Sequence, residues 1–75
     1  MDSVMAPKDL RRLFVRRLLE RREELGWSQS ELARRSSVAQ KTISLLEQGD
    51  TDPTLSTLGL LAEALGFTPD EMIAA

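Results

Sequence analysis

The stretch "WSQSELARRSSVAQKTISLLEQG", residues 27–49, decides the fold. Ser28 with Glu31 three positions on has the form of a capping box, and Trp27 stands where it can staple over Leu32, so a helix starts just after 28. Gly49 offers a left-handed stop for a second helix. Between the two lies only "SSVA", residues 36–39, with Val38 placed to bury itself and Ala33 small enough for a close crossing. Two short helices, over 29–35 and 39–48, are therefore expected to meet at a tight turn. In the second, Ile43, Leu46 and the aliphatic part of Glu47 share one face. Leu45, equally apolar, must point the other way, on an outer face with Lys41, Ser44 and Gln48, while Gln40 is exposed in the first turn.

The same punctuation runs through the rest of the chain. Gly26 and Gly66 follow apolar-periodic stretches as Gly49 does, which ends helices near 25 and 65. Thr54 can cap a helix over 55–65, and Thr68 with Glu71 repeats the capping box with Pro69 at the first helical position, giving a last helix over 69–74. A first helix is expected over 8–25. The result is an all-α domain of five helices over 8–75, preceded by a flexible arm over 1–7 that carries no periodicity. Phe14, Val15, Leu18 and Leu25 form the inner stripe of the first helix, with Arg22 on the same side. Leu55, Leu58, Leu61, Ala62 and Leu65 form that of the fourth. Val38, Ile43, Leu46, Phe67, Met72 and Ile73 complete the expected core.

Composition narrows the function. Seventy-five residues make one small domain, with 41% apolar residues and only Phe14, Trp27 and Phe67 as aromatics. There is no cysteine and no histidine, so disulfides, zinc sites and imidazole or thiolate catalysis are unavailable. No enzyme activity, cofactor or metal is expected. No apolar run approaches the roughly 18 residues of a membrane span, and no signal-peptide core is visible, so a soluble, cytoplasmic protein is expected. The net charge of −2 is unevenly spread: residues 1–41 hold all ten bases with six acids, whereas 42–75 hold six acids and no base. A polyanion facing one end of the fold would account for that division; solvation of the helix "LRRLFVRRLLERREEL" would account for any single arginine in it.

The segment 27–49, followed by "DPTLSTLGLLAEALGFTPDEM" (52–72), resembles the Cro/CI-type helix-turn-helix family (XRE, lambda-repressor-like) of phage repressors and bacterial regulators, over roughly residues 14–74. The resemblance implies a sequence-specific regulator of transcription that binds double-stranded DNA as a homodimer. Gln40, Lys41, Ser44 and Leu45 fall at positions from which members of the family touch base edges. Gln40 suits adenine, Lys41 guanine or a phosphate, and Leu45 a thymine methyl. Gln29 matches a family glutamine that bonds a phosphate beside a helix N-terminus, with Ser28, Arg34, Arg35 and Gln48 as further phosphate contacts. Arg22 and Glu47 match a structural salt bridge linking the first helix to the third.

Three departures from the family pattern stand out. Ser37 takes a turn position usually held by glycine, so it must adopt a left-handed or strained backbone there, or the turn is drawn slightly differently. Ala39 replaces the usual hydroxyl cap before the third helix. "GDTDP" (49–53) brings Asp50 and Asp52 where relatives carry bases, which shifts the expected source of affinity to Arg34, Arg35, Lys41 and the first-helix arginines. Leu60, next to Gly59, and Leu13 lie off the core stripes and are candidates for a dimer surface through helices 4 and 5, or through helix 1. The competing function is a protein-interaction module, an antitoxin or an adaptor for a polymerase subunit, built on the same scaffold.

Overall fold

The computed structural model describes residues 7–73. Five helices follow one another: α1 (Pro7–Glu24), α2 (Gln29–Ser36), α3 (Gln40–Gln48), α4 (Leu55–Leu65) and α5 (Pro69–Ile73). The expected five-helix, all-α architecture is the one observed, with ends displaced by one residue. Pro7, assigned to the arm, is the first residue of α1, where a proline's missing N–H costs nothing. Residues 1–6 of that arm, and the final residue expected in α5, lie outside the described residues.

The helix ends follow the local chemistry read from the chain. Gly26, Gly49 and Gly66 all have positive φ (71°, 77° and 82°). Each turn is a paired closure: Gly26 N–H donates to Glu23 O while Trp27 N–H donates to Arg22 O, and Gly49/Asp50 and Gly66/Phe67 repeat the pattern on α3 and α4. At the starts, Ser28 Oγ accepts from Glu31 N–H at 3.0 Å and Thr54 Oγ1 from Thr57 N–H at 3.0 Å. The Thr68–Glu71 box is reciprocal, since Thr68 N–H also donates to Glu71 Oε1 at 2.7 Å. The Ser28–Glu31 box is formed on the serine side, while the Glu31 carboxylate turns to Arg34 and Arg35. Opposite charges three and four residues along the helix draw it away from the Ser28 amide.

The core is built from Phe14, Leu18, Leu32, Val38, Ile43, Leu46, Leu58, Leu61, Ala62, Leu65 and Met72. α1 packs on α3, α4 and α5, α2 on α3 and α4, and α4 on α5. Burial of each large aliphatic side chain contributes about 1.5–3 kcal/mol, which in so small a domain is a sizeable share of the total. Three apolar positions correct the expectation. Leu55 is 87% exposed and Ile73 is exposed, although both were assigned to the core. They sit at the first position of α4 and the last of α5, beyond the packed length of the helices. Leu13, expected to mark a free apolar surface, is only 7% exposed. α1 has three packing partners, so its buried arc is wider than a single stripe and takes in the residue beside Phe14.

Candidate nucleic-acid interface

α2 and α3 meet at a turn whose backbone is set by two serines. Ser37 has φ 63° and ψ 20°, the left-handed conformation required of it. The buried Ser36 hydroxyl accepts from Val38 N–H at 3.2 Å, supporting the turn from inside. The turn drives Val38 into the core and starts α3 at Gln40. Ala39 makes no side-chain cap, so the first N–H groups of α3 have no side-chain acceptor at the cap position.

From this geometry α3 divides into two faces. Ile43 and Leu46 are fully buried. Gln40, Lys41, Leu45 and Gln48 are exposed and Ser44 half-exposed, so all four expected base-contact residues share the solvent side. Leu45 is 36% exposed, the outward leucine that the periodicity requires.

α3 is fixed at both ends. At its start, Ser30 Oγ of α2 donates to Gln40 Oε1 at 2.9 Å, leaving the Gln40 amide N–H₂ free to donate outward. Near its end, Arg22 donates from Nε to Glu47 Oε2 at 2.7 Å and from Nη2 to Oε1 at 3.1 Å, a two-point contact with planar complementarity. The Glu47 side chain is 7% exposed and that of Arg22 15%, so the pair is shielded from solvent. Arg22 also donates to Trp27 O at 2.8 Å. Gln29 Nε2 donates to Glu47 Oε1 at 2.8 Å, which the sequence reading did not foresee. One of the two amide hydrogens of Gln29 is thereby committed, and the other is left for a ligand. The last exposed residue of the face, Gln48, donates to Ser44 Oγ at 3.3 Å within the helix.

The remaining expected phosphate ligands are placed less uniformly. Ser28 caps α2 beside Gln29. Arg34 and Arg35 lie in the last turn of α2, away from these two, and converge on Glu31. Arg35 also lies over the Trp27 ring, with its guanidinium carbon 4.4 Å from the centroid. The hydrogen bonds from Arg34 and Arg35 hold the Glu31 carboxyl below its ordinary pKa, and Glu31 raises that of Arg34.

A second contact absent from the sequence reading concerns the acidic connection after α3. Arg11 donates from Nε to Asp52 at 2.6 Å and from Nη1 to Gly49 O at 3.1 Å, tying α1 to the end of α3 across about forty positions of chain. The hydrogen bond from Arg11 lowers the Asp52 pKa and raises that of Arg11. Asp52, expected to repel phosphates, is thus matched by a cation. Among the described residues there is no cluster of acids that could hold a metal ion, and no helix long and apolar enough to cross a membrane.

A tight turn between two short helices, the second with one face in the core and the other turned to solvent, defines a helix-turn-helix protein. Comparison with known proteins gives the family. The helix-turn-helix family model matches residues 18–72. The chain is 38% identical over 65 residues to an uncharacterized HTH-type transcriptional regulator of Sinorhizobium fredii, covering 87% of this chain and 84% of the relative. It is 40% identical over 67 residues to another from Haemophilus influenzae, covering 89% and 68%. The crystal structure of a hypothetical transcription factor, NHTF, from Neisseria superposes with a TM-score of 0.82 at 27% identity, over 97% of this chain and 84% of that one. The chain belongs to the XRE-type helix-turn-helix family of DNA-binding transcriptional regulators, and the family is one of regulators, not enzymes.

Proposed function

We propose that the protein recognises a specific operator in the cytoplasm by laying α3 in the major groove, with Gln40, Lys41, Ser44 and Leu45 on base edges. Phosphates are taken by Ser28, Gln29 and Gln48, and by Arg34 and Arg35 once Glu31 releases them. The observation that carries this reading is the division of α3: a buried inner face fixed at both ends, and an outer face that offers two donors and an apolar contact. With its side chains an α-helix is about 10–12 Å across, a fit to a major groove about 12 Å wide. The protein acts as a homodimer, whose two reading helices would stand one helical turn, about 34 Å, apart. Support for a dimer surface on α4 comes from the exposed Leu60 and from Gly59, where an added Cβ would meet nothing within 4 Å.

The test is the double variant Gln40→Ala/Lys41→Ala. It should stay folded, with a melting temperature lowered only by the loss of the exposed Ser30–Gln40 hydrogen bond, and lose discrimination between a duplex selected from a random pool and a scrambled one. Each good base contact contributes roughly 1–3 kcal/mol of discrimination, so the ratio should fall by at least tenfold. Full selectivity in that variant would overturn the assignment of Gln40 and Lys41 to base edges, whereas no selection by the wild-type chain would favour the protein-interaction module instead.

A further inference from the structure

Most of the positive charge on this protein is already in use. Arg11 is held by Asp52 and Gly49, Arg21 by Leu65 O and Glu24, and Arg22 by Glu47. Arg17 is spent on Glu71 O, and Arg34 and Arg35 share Glu31. What is left is Lys41 on the reading face and a second group, Lys8, Arg12 and Arg16. Among the described residues, Lys8 and Arg16 make no ion pair, and Arg12 has only a loose contact with Asp9 at 3.9 Å, with its side chain 76% exposed.

These three are spaced four apart, so they stack on successive turns of one α1 stripe. Like charges so placed repel and weaken a helix, and nothing in the folding of the monomer calls for them. They line an open groove of about 600 Å³ between α1 and the C-terminal end of α3, with Val15 and Leu19 in its floor and Gln48 and Gly49 on its far wall. Two of the acids nearby are answered, Glu47 by Arg22 and Asp52 by Arg11, which leaves Glu20 in the groove, Asp9 in loose contact with Arg12, and Asp50 beyond Gly49.

We propose that this stripe is a second clamp on the DNA backbone: Lys8, Arg12 and Arg16 hold the phosphodiester strand that passes the C-terminal end of α3. The proposal rests on the placement of α3 in the major groove. Two features single out a phosphate backbone over an acidic polypeptide. The groove is continuous with Gln48, the last residue of the reading face, and its cations lie in a line, spaced about 6 Å apart along α1, close to the repeat of a nucleic-acid strand. Arg11 completes the arrangement as a positioning residue. It draws Asp52 and the Gly49 carbonyl toward α1, so that one of the two acids of the connection, Asp52, is neutralised where a relative's bases would meet the strand.

The experiment uses the full chain, a duplex selected by the wild-type protein from a random pool, and a scrambled duplex of equal length. Each phosphate contact contributes about 0.9 to the slope of log K against log salt, so Arg12→Gln/Arg16→Gln, which removes two contacts from each protomer of the dimer, should lower the slope by about 4. Between 50 and 200 mM salt the wild type would then lose roughly a hundredfold more affinity than the variant, on both duplexes alike, with the ratio between them unchanged. Adding Glu63→Gln/Asp70→Asn restores the net charge; a local clamp stays lost, whereas a bulk-field effect returns. The melting temperature of Arg12→Gln/Arg16→Gln should equal or exceed the wild type's, which separates loss of contact from loss of fold. An unchanged slope, as expected if the groove takes an acidic polypeptide, overturns the clamp while wild-type selectivity leaves the placement of α3 standing. Recovery of the slope in the charge-restored variant also overturns it. Absence of selection by the wild type overturns both.

Discussion

Removing the Glu47 carboxylate tests the mounting of α3 most directly. Glu47→Ala takes two hydrogen bonds from Arg22 and one from Gln29, and leaves a guanidinium whose side chain is only 15% exposed. Breaking a buried ion pair from one side costs about 3–5 kcal/mol, because the remaining charge is stranded. Arg22 retains its bond to Trp27 O and some access to water, which places the loss at the lower end, about 3 kcal/mol. A 75-residue domain at roughly 0.05–0.15 kcal/mol per residue has about 4–11 kcal/mol in all, so the variant should be visibly unstable. In a domain of this size each kcal/mol moves Tm by about 4–8 °C, giving a fall of roughly 12–24 °C. Urea and thermal melts followed by far-UV circular dichroism read both quantities. Arg22→Met/Glu47→Leu should recover most of the loss, since a well-packed apolar pair of similar volume is often as stable as the buried ion pair it replaces. A loss below about 1 kcal/mol in Glu47→Ala, the range of an exposed pair, would refute the reasoning.

Further outcomes follow from the backbone and the surface charges. Gly59→Ala should stabilise the monomer by up to about 1 kcal/mol, because alanine is the better helix former and its methyl group meets nothing. If α4 forms the dimer surface, sedimentation should show weaker self-association of the same variant. Ser37→Gly should raise stability by about 0.5–1 kcal/mol, the relief of a left-handed residue less the added freedom of the unfolded chain; a lower urea midpoint would contradict it. Asp52 and Glu31 have lowered pKa values in the folded state, so their contribution to stability is present above the ordinary carboxylate range and is lost as pH falls through the folded values. Asp52→Asn should flatten the acid limb of the stability curve, and superimposable limbs would rule out the Arg11 contact.

What the chain disclosed ahead of its structure was mostly short-range. The three glycine stops, the Thr54 and Thr68 caps and the left-handed Ser37 depend on residues within a few positions of one another, and each can be read from its neighbours. The faces of α3 were legible for the same reason, because periodicity fixes azimuth. It does not fix depth, so Leu55 and Ile73 carried a core-like phase at helix ends that protrude past the core. Leu13 shows the converse: a helix embraced by three others buries residues that a one-stripe wheel places outside. The Arg11 contact with Asp52 joins a helix to an irregular connection, where no period relates the partners. For Gln29 the resemblance implies a phosphate contact, and its bond to Glu47 depends on how α2 crosses α3, a distance that local spacing does not contain.

Bracing by Ser30 at one end and by Arg22 and Gln29 at the other gives α3, the proposed recognition helix, little freedom to adapt its pose. When a stiff probe meets a double helix, the adjustment falls on the nucleic acid, whose twist and groove width must conform. The cost of that conformation depends on base steps the polypeptide never touches, cheap at flexible pyrimidine–purine steps and dear in rigid A-tracts. With α3 laid in the major groove as proposed, operator preference should therefore extend into the uncontacted spacer, written in the mechanics of the duplex.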